Sequence, residues 1–138
     1  MSADVSCPRL VKSLLGSDLL EVRPSEGNLY FTIAPENILK CMAMLAANKA
    51  TLFESLTDCF AIDYTPFGGM LEIHYQLHSY KLDKNIFVTT SVPNSASVQS
   101  ATPLFSNANW YEREIFEMFG INFTNHPNLR KLLRRDDE

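Results

Sequence analysis

Three groups of residues in this 138-residue chain have types and spacing suited to chemistry. The densest is Glu112, Arg113, Glu114 and Glu117, beside Trp110 and Tyr111 and followed by His126, Arg130 and Lys131. Neighbouring carboxylates can work as acid and base when a pocket shifts one pKa, but spacing by itself shows no pocket. The same residues also fit a solvated or self-paired face, or an anchor at an interface. Glu72, His74 and His78 form a second group on one side of a run that reads as a strand. Two histidines and a carboxylate can hold a metal. Four residues along a strand span roughly 13 Å, however, too far to share one ion. The expectation is half-exposed sheet positions. Cys7, Cys41 and Cys59 are dispersed and show no CxxC spacing, so they read as small core hydrophobes. No GxGxxG, Walker A, HExxH or GxSxG motif occurs, and Gly68-Gly69 reads as a turn. No metal or cofactor is therefore expected on this chain.

The first group needs a helix to carry it. Asn109 followed by Glu112 has the spacing of a reciprocal helix cap. Tyr111, Ile115, Met118 and Phe119 recur at helical spacing and are expected to bury one face. Arg113 and Glu117, four apart, can pair on another. Gly120 is the predicted stop, because glycine takes the left-handed cap conformation freely. Ile121 and Phe123 then alternate briefly before a turn at His126-Pro127-Asn128 and a basic stretch of Arg130, Lys131, Arg134 and Arg135.

Upstream, Pro8–Leu15 reads as a helix with Leu10, Val11, Leu14 and Leu15 inward and Gly16 as its stop. Leu19–Arg23 and Leu29–Ile33 flank turn residues and predict a hairpin. Pro35 suits a first helical position, and Ile38, Cys41, Met42 and Leu45 share one face after it. Cys59–Tyr64 tilts to strand. The clearest signal is the alternation over Met70–Ser79, with Leu71, Ile73, Tyr75 and Leu77 on one side, followed by Ile86–Val92 as an antiparallel partner. Pro93–Ser106 reads as a loop. The expected fold is α+β, a single domain over residues 1–138, with a mixed or antiparallel sheet and helices packed mainly on one face.

Composition narrows the function classes. Apolar residues at 46% and charged ones at 20% are ordinary for a folded domain and unlike a disordered chain. A net charge of −4 argues against general nucleic-acid binding. No apolar run reaches the roughly 18 residues of a membrane span. The first residues lack both a secretory hydrophobic core and the Arg-rich pattern of a transit peptide.

The run Glu112-Arg113-Glu114, Glu117, Met118-Phe119, His126, Arg130 and Leu132-Leu133 resembles the signature of the respiratory complex I 30 kDa subunit family, the subunit 9 of some mitochondrial genomes. Ala108–Tyr111, Phe119–Ile121, Asp63-Tyr64 and the strand HYQLHS extend the likeness from about Leu52 to Leu133. Glu117 departs conservatively from the family's common Asp. The chain ends at Glu138, where many relatives continue into a tail on a neighbouring subunit, so a minimal form, a truncation or a second chain supplying that tail are all open. The resemblance implies a structural subunit of the hydrophilic arm of NADH:ubiquinone oxidoreductase, beside the quinone-site subunits. It implies a peripheral place on the matrix side of the mitochondrial inner membrane, or the cytoplasmic face of a bacterial one. FMN and iron–sulfur clusters would belong to other subunits, with none on this chain. Trp110, Glu112, Arg113, Glu114, Glu117, His126 and Arg130 would then be interface residues. A related energy-converting hydrogenase, a plastid complex, or a free-standing carboxylate enzyme are the alternatives.

Overall fold

The structure is a computed structural model that describes residues 2–94 and 96–127, with side chains from residue 8 onward. Helix α1 (Ser2–Leu15) begins earlier than Pro8 and carries that proline inside it. Val11 and Leu15 are buried and Leu10 and Leu14 half-buried, as their spacing predicts. Strands β1 (Leu19–Ser25) and β2 (Asn28–Ile33) form the expected hairpin, closed by Glu26 and Gly27 at φ 50° and 85°. Positive φ at both turn positions matches the strand twist, and glycine adopts it without steric cost.

A short turn opened by Pro35 leads into α2 (Ile38–Ala47), which buries the four predicted residues, Ile38, Cys41, Met42 and Leu45. Strands β3 (Ser55–Asp63), β4 (Leu71–Ser79) and β5 (Lys84–Val92) follow. The β4–β5 pairing is antiparallel over its whole length, with Tyr75 opposite Val88, as the two alternating runs require. The five-stranded sheet has the order β1-β2-β5-β4-β3. Its one parallel seam joins β2 to β5 with Phe31 opposite Val88.

One register row, Val22, Phe31, Val88, Tyr75 and Cys59, crosses all the strands on the core side. Onto it pack Val11 and Leu15 of α1, Ile38 and Leu45 of α2, and Ile115 of the third helix. The fold is thus α+β, as the sequence predicts. Within Pro93–Ser106, read as a loop, lies a further strand β6 (Ser97–Gln99), followed by α3 (Ala108–Phe119) and β7 (Asn122–Thr124). β6 and β7 pair in parallel, Val98 opposite Phe123. Three residues are too few to show alternation, so this ladder left no periodic mark. The expectations for Asn128, Arg130, Lys131, Leu132, Leu133, Arg134 and Arg135 lie outside the described residues.

Candidate functional site

α3 starts one residue earlier than expected, at Ala108, and its first turn is held by the sheet rather than by a cap. Asn107 Nδ2 donates to the Leu56 carbonyl at 2.8 Å, and the Tyr111 hydroxyl to the Thr57 carbonyl at 3.1 Å. Both acceptors lie where the β3–β4 register shifts, between Leu56 and Asp58. A bulge leaves ladder groups unpaired, and the helix supplies donors to them. Gly120, at φ 76°, ends the helix as predicted and donates its N–H to the Phe116 carbonyl at 2.9 Å.

The helix is rotated from the expected orientation. Ala108, Glu112 and Ile115 are its buried residues, while Met118 stands 75% exposed and Trp110 59%. Glu112 faces inward because donors await it there. Its Oε1 accepts from the Ser100 hydroxyl and its Oε2 from the Ala101 N–H, each at 2.7 Å. A fully buried carboxylate must find such bonds. It does not cap Asn109, whose N–H donates to the Ser106 carbonyl instead. Burial pushes its pKa from the usual 4.5 to about 7, with the Ala101 and Ser100 bonds pulling the other way.

His126, in the turn just after β7, closes the same site. Its Nε2 lies 3.1 Å from the Asn109 carbonyl, to which it must donate because a carbonyl only accepts, and 3.9 Å from Glu112 Oε1. Burial lowers the His126 pKa; the Asn109 bond opposes that, and the Arg113 charge adds to it. Arg113 is half-buried, and its Nε has no hydrogen-bond partner among the described residues. The Arg113–Glu117 pair allowed by spacing is not formed among the described residues. Glu114 and Glu117 are exposed. Of the predicted interface group, then, Trp110, Glu114 and Glu117 face outward with part of Arg113. Glu112 and His126 turn their side chains into the chain itself, and Arg130 lies outside the described residues.

The second group sits on the helix-free face of the sheet. His74 is buried at 2% exposure, not half-exposed as expected, because aromatic rings from other strands enclose it. Phe60 stacks on it at 5.0 Å between centroids and Tyr30 meets it edge-on at 5.7 Å. Its Nε2 is 3.3 Å from Glu72 Oε1, out of hydrogen-bond alignment, and burial lowers its pKa against the pull of Glu72. His78 is half-buried and bonds Asn85 instead. No three metal-ligating side chains converge among the described residues. Cys41 and Cys59 are free and buried, as small core residues should be. Burial raises both thiol pKa values, Cys41 to about 11.

Residues 31–138 match the family described as respiratory-chain NADH dehydrogenase, 30 Kd subunit. That span holds the whole candidate site. The chain belongs to this family. Among relatives, it is 38% identical to NADH-ubiquinone oxidoreductase subunit 9 of Reclinomonas americana over 79% of this chain. It is 39% identical over 73% of its length to the mitochondrial NADH dehydrogenase [ubiquinone] iron-sulfur protein 3 of Candida albicans. It spans 53% of the first protein and 36% of the second, about half of these relatives' length or less. A solved structure, the trypsin-resistant fragment of Nqo5, superimposes with a TM-score of 0.72 at 26% identity, covering 87% of this chain and 96% of that one.

Within this 30 kDa-subunit domain, sequence reasoning missed Ser100 and Ala101. Both sit in a segment that reads as loop, and a backbone N–H leaves no signal in residue types. The available hint was a lone Ser-Ala pair one connection before an acidic helix, which is far too common to single out.

Proposed function

We propose that the chain is a structural, non-catalytic subunit of the peripheral arm of a respiratory NADH:ubiquinone oxidoreductase, supporting the quinone-site subunits through which electrons leave NADH. The observation that carries the docking role is the outer face of α3. Trp110 and Met118 stand 59% and 75% exposed there, one helical face with Glu114 and Glu117. Large apolar side chains held outward by a rigid helix are the usual anchors of an interface, each worth roughly 1.5–3 kcal/mol when buried. The family match supports the identity of the assembly.

Glu112 supports a non-catalytic role: the two oxygens of this acid–base candidate are occupied by the chain's own loop. Flavin and clusters are assigned to other subunits. Cys41 and Cys59 are buried on separate elements, α2 and β3, whereas a cluster needs several cysteines converging on it. No described helix is long and apolar enough to cross a membrane, so attachment to the matrix side of the inner membrane is assigned to partner subunits.

The test is assembly. Trp110→Ala with Met118→Ser should sharply lower the content of intact complex on a native gel. The melting temperature of the chain alone should hardly move, because exposed substitutions cost within about 0.5 kcal/mol. Arg113→Ala is expected to act the same way. Normal assembly with both variants would remove the docking role from α3. Failure of the unaltered chain to travel with a flavin-bearing complex would remove the subunit assignment.

A further inference from the structure

The outward face of α3 holds more than two apolar anchors. Trp110, Glu114 and Met118 follow one another at four-residue spacing, so Glu114 stands between the two exposed apolar side chains. Side chains four apart on a helix lie about 5–6 Å from each other at Cβ. Glu117 flanks the same stripe, and both glutamates are exposed. Neither forms an ion pair or a hydrogen bond among the described residues. Arg113 borders the stripe beside Glu117, but it is half-buried, forms no pair with Glu117, and its charge acts on His126. The acidic field reaches the sheet as well. Burial, then the charges of Asp58, Cys59 and Glu114, raises the pKa of Tyr111, whose hydroxyl bonds the β3 carbonyl of Thr57.

We infer that this stripe receives an arginine of a partner subunit, its guanidinium stacked on the Trp110 ring and forked onto Glu114, with an apolar neighbour against Met118. The inference rests on the docking role proposed above and adds the chemistry of the partner. Any surface that covers both Trp110 and Met118 must also cover Glu114, which lies between them. A carboxylate dried at an interface without a cation is strongly unfavourable, and this chain supplies none to it among the described residues. The partner must therefore bring the positive charge.

The indole selects which cation that is. Tryptophan presents the ring most attractive to a cation, and a guanidinium lies flat on it while keeping its N–H groups free at the edge. A carboxylate one turn away can then accept two parallel N–H bonds, which an ammonium cannot match in geometry. The stripe is also fixed in advance. Asn107 and Tyr111 hold the helix to β3 at 2.8 and 3.1 Å, and Glu112 holds it to Ser100 and Ala101 at 2.7 Å. A face ordered before binding loses little freedom on docking.

Photo-cross-linking within the assembled complex tests it, with benzoylphenylalanine replacing Met118. The expected adduct is to another polypeptide, within a few residues of an arginine. Glu114→Lys should cut its yield roughly tenfold or more, the scale of placing like charges in a docked pair. Glu114→Gln should give a smaller loss and guards against misfolding of the charge reversal. Changing the partner's arginine to lysine should lower the yield too, and full yield with lysine overturns the choice of arginine. An adduct to lipid, to a second copy, to residues 128–138 of this chain or to a segment without an arginine overturns the inference. So does indifference to both Glu114 variants, or silence at position 118. The docking role falls with it only if Trp110→Ala with Met118→Ser also assembles normally.

Discussion

The Ser100 hydroxyl and the Glu112 carboxylate meet at 2.7 Å between the end of β6 and the second turn of α3. Ala101 N–H takes the other oxygen, so one acidic side chain fastens the connection to the helix it leads into. Glu112 also lies near enough to Cys59 and Tyr75 for its charge to raise both of their pKa values. The carboxylate stands over the sheet core.

Glu112 should therefore govern how stability varies with pH. Its native pKa, about 7, exceeds the usual 4.5, so the folded chain holds this proton longer than the unfolded one. Stability from this group is full below pH 4.5 and is lost as pH rises through 7, a change of roughly 3 kcal/mol. In Glu112→Gln that decline should vanish, since an amide can bond both Ser100 and Ala101 without a charge. Chemical denaturation from pH 4.5 to 8 checks it; an unchanged slope in the variant would refute the assignment.

His74 should act in the opposite sense. Its pKa is lowered from 6.5 by burial, so its contribution is complete above pH 6.5 and is lost as pH falls. His74→Phe keeps the stacking against Phe60 and edge contact with Tyr30 while removing the proton. The variant is expected to resist acid better than the parent, measured by the unfolding midpoint at pH 5 relative to pH 7.5.

Tyr75 is wholly buried, and its hydroxyl lacks a hydrogen-bond partner among the described residues. An orphaned polar atom in the core costs about 1–3 kcal/mol. Tyr75→Phe should accordingly be neutral or stabilising by about 1 kcal/mol. A loss of more than that amount would mean the hydroxyl is satisfied in solution.

Gly69 is required for lack of space. A Cβ there would sit 2.9 Å from Tyr64 Cβ and 3.2 Å from the Tyr64 carbonyl oxygen. Backbone must move to admit it, and overpacking of this kind costs about 1–3 kcal/mol. Gly69→Ala should lower the melting temperature and disturb the amide signals of Phe67 and Met70, whereas Gly27, with open space around it, would be felt only through its positive φ.

Much of the sheet was legible because its signal is local. Leu71, Ile73, Tyr75 and Leu77 alternate in the chain and all are buried. The position and end of α3 were legible too, through Gly120. Its rotation was not. Residue type says Met118 inward and Glu112 outward, and only the donors on Ser100 and Ala101 reverse that. The burial of His74 was hidden for a similar reason: Tyr30 and Phe60 belong to strands at distant places in the sequence. Features set by one stretch could be read, and those set by two converging stretches could not.

The parallel seam between β2 and β5 also orders events on the ribosome. Thr32 and Thr89, which face each other across it with hydroxyls 3.2 Å apart, are separated by 57 residues. The β1–β2 hairpin can close as soon as it emerges, whereas its inner edge stays without a neighbour until β5 has been made. An open strand edge invites pairing with the wrong chain. Loop closure of this length also slows the join relative to the local hairpins β1–β2, β3–β4 and β4–β5. Pulse-labelled hydrogen exchange during refolding should show the β4–β5 amides protected first and the Tyr30–Thr32 amides facing the seam last.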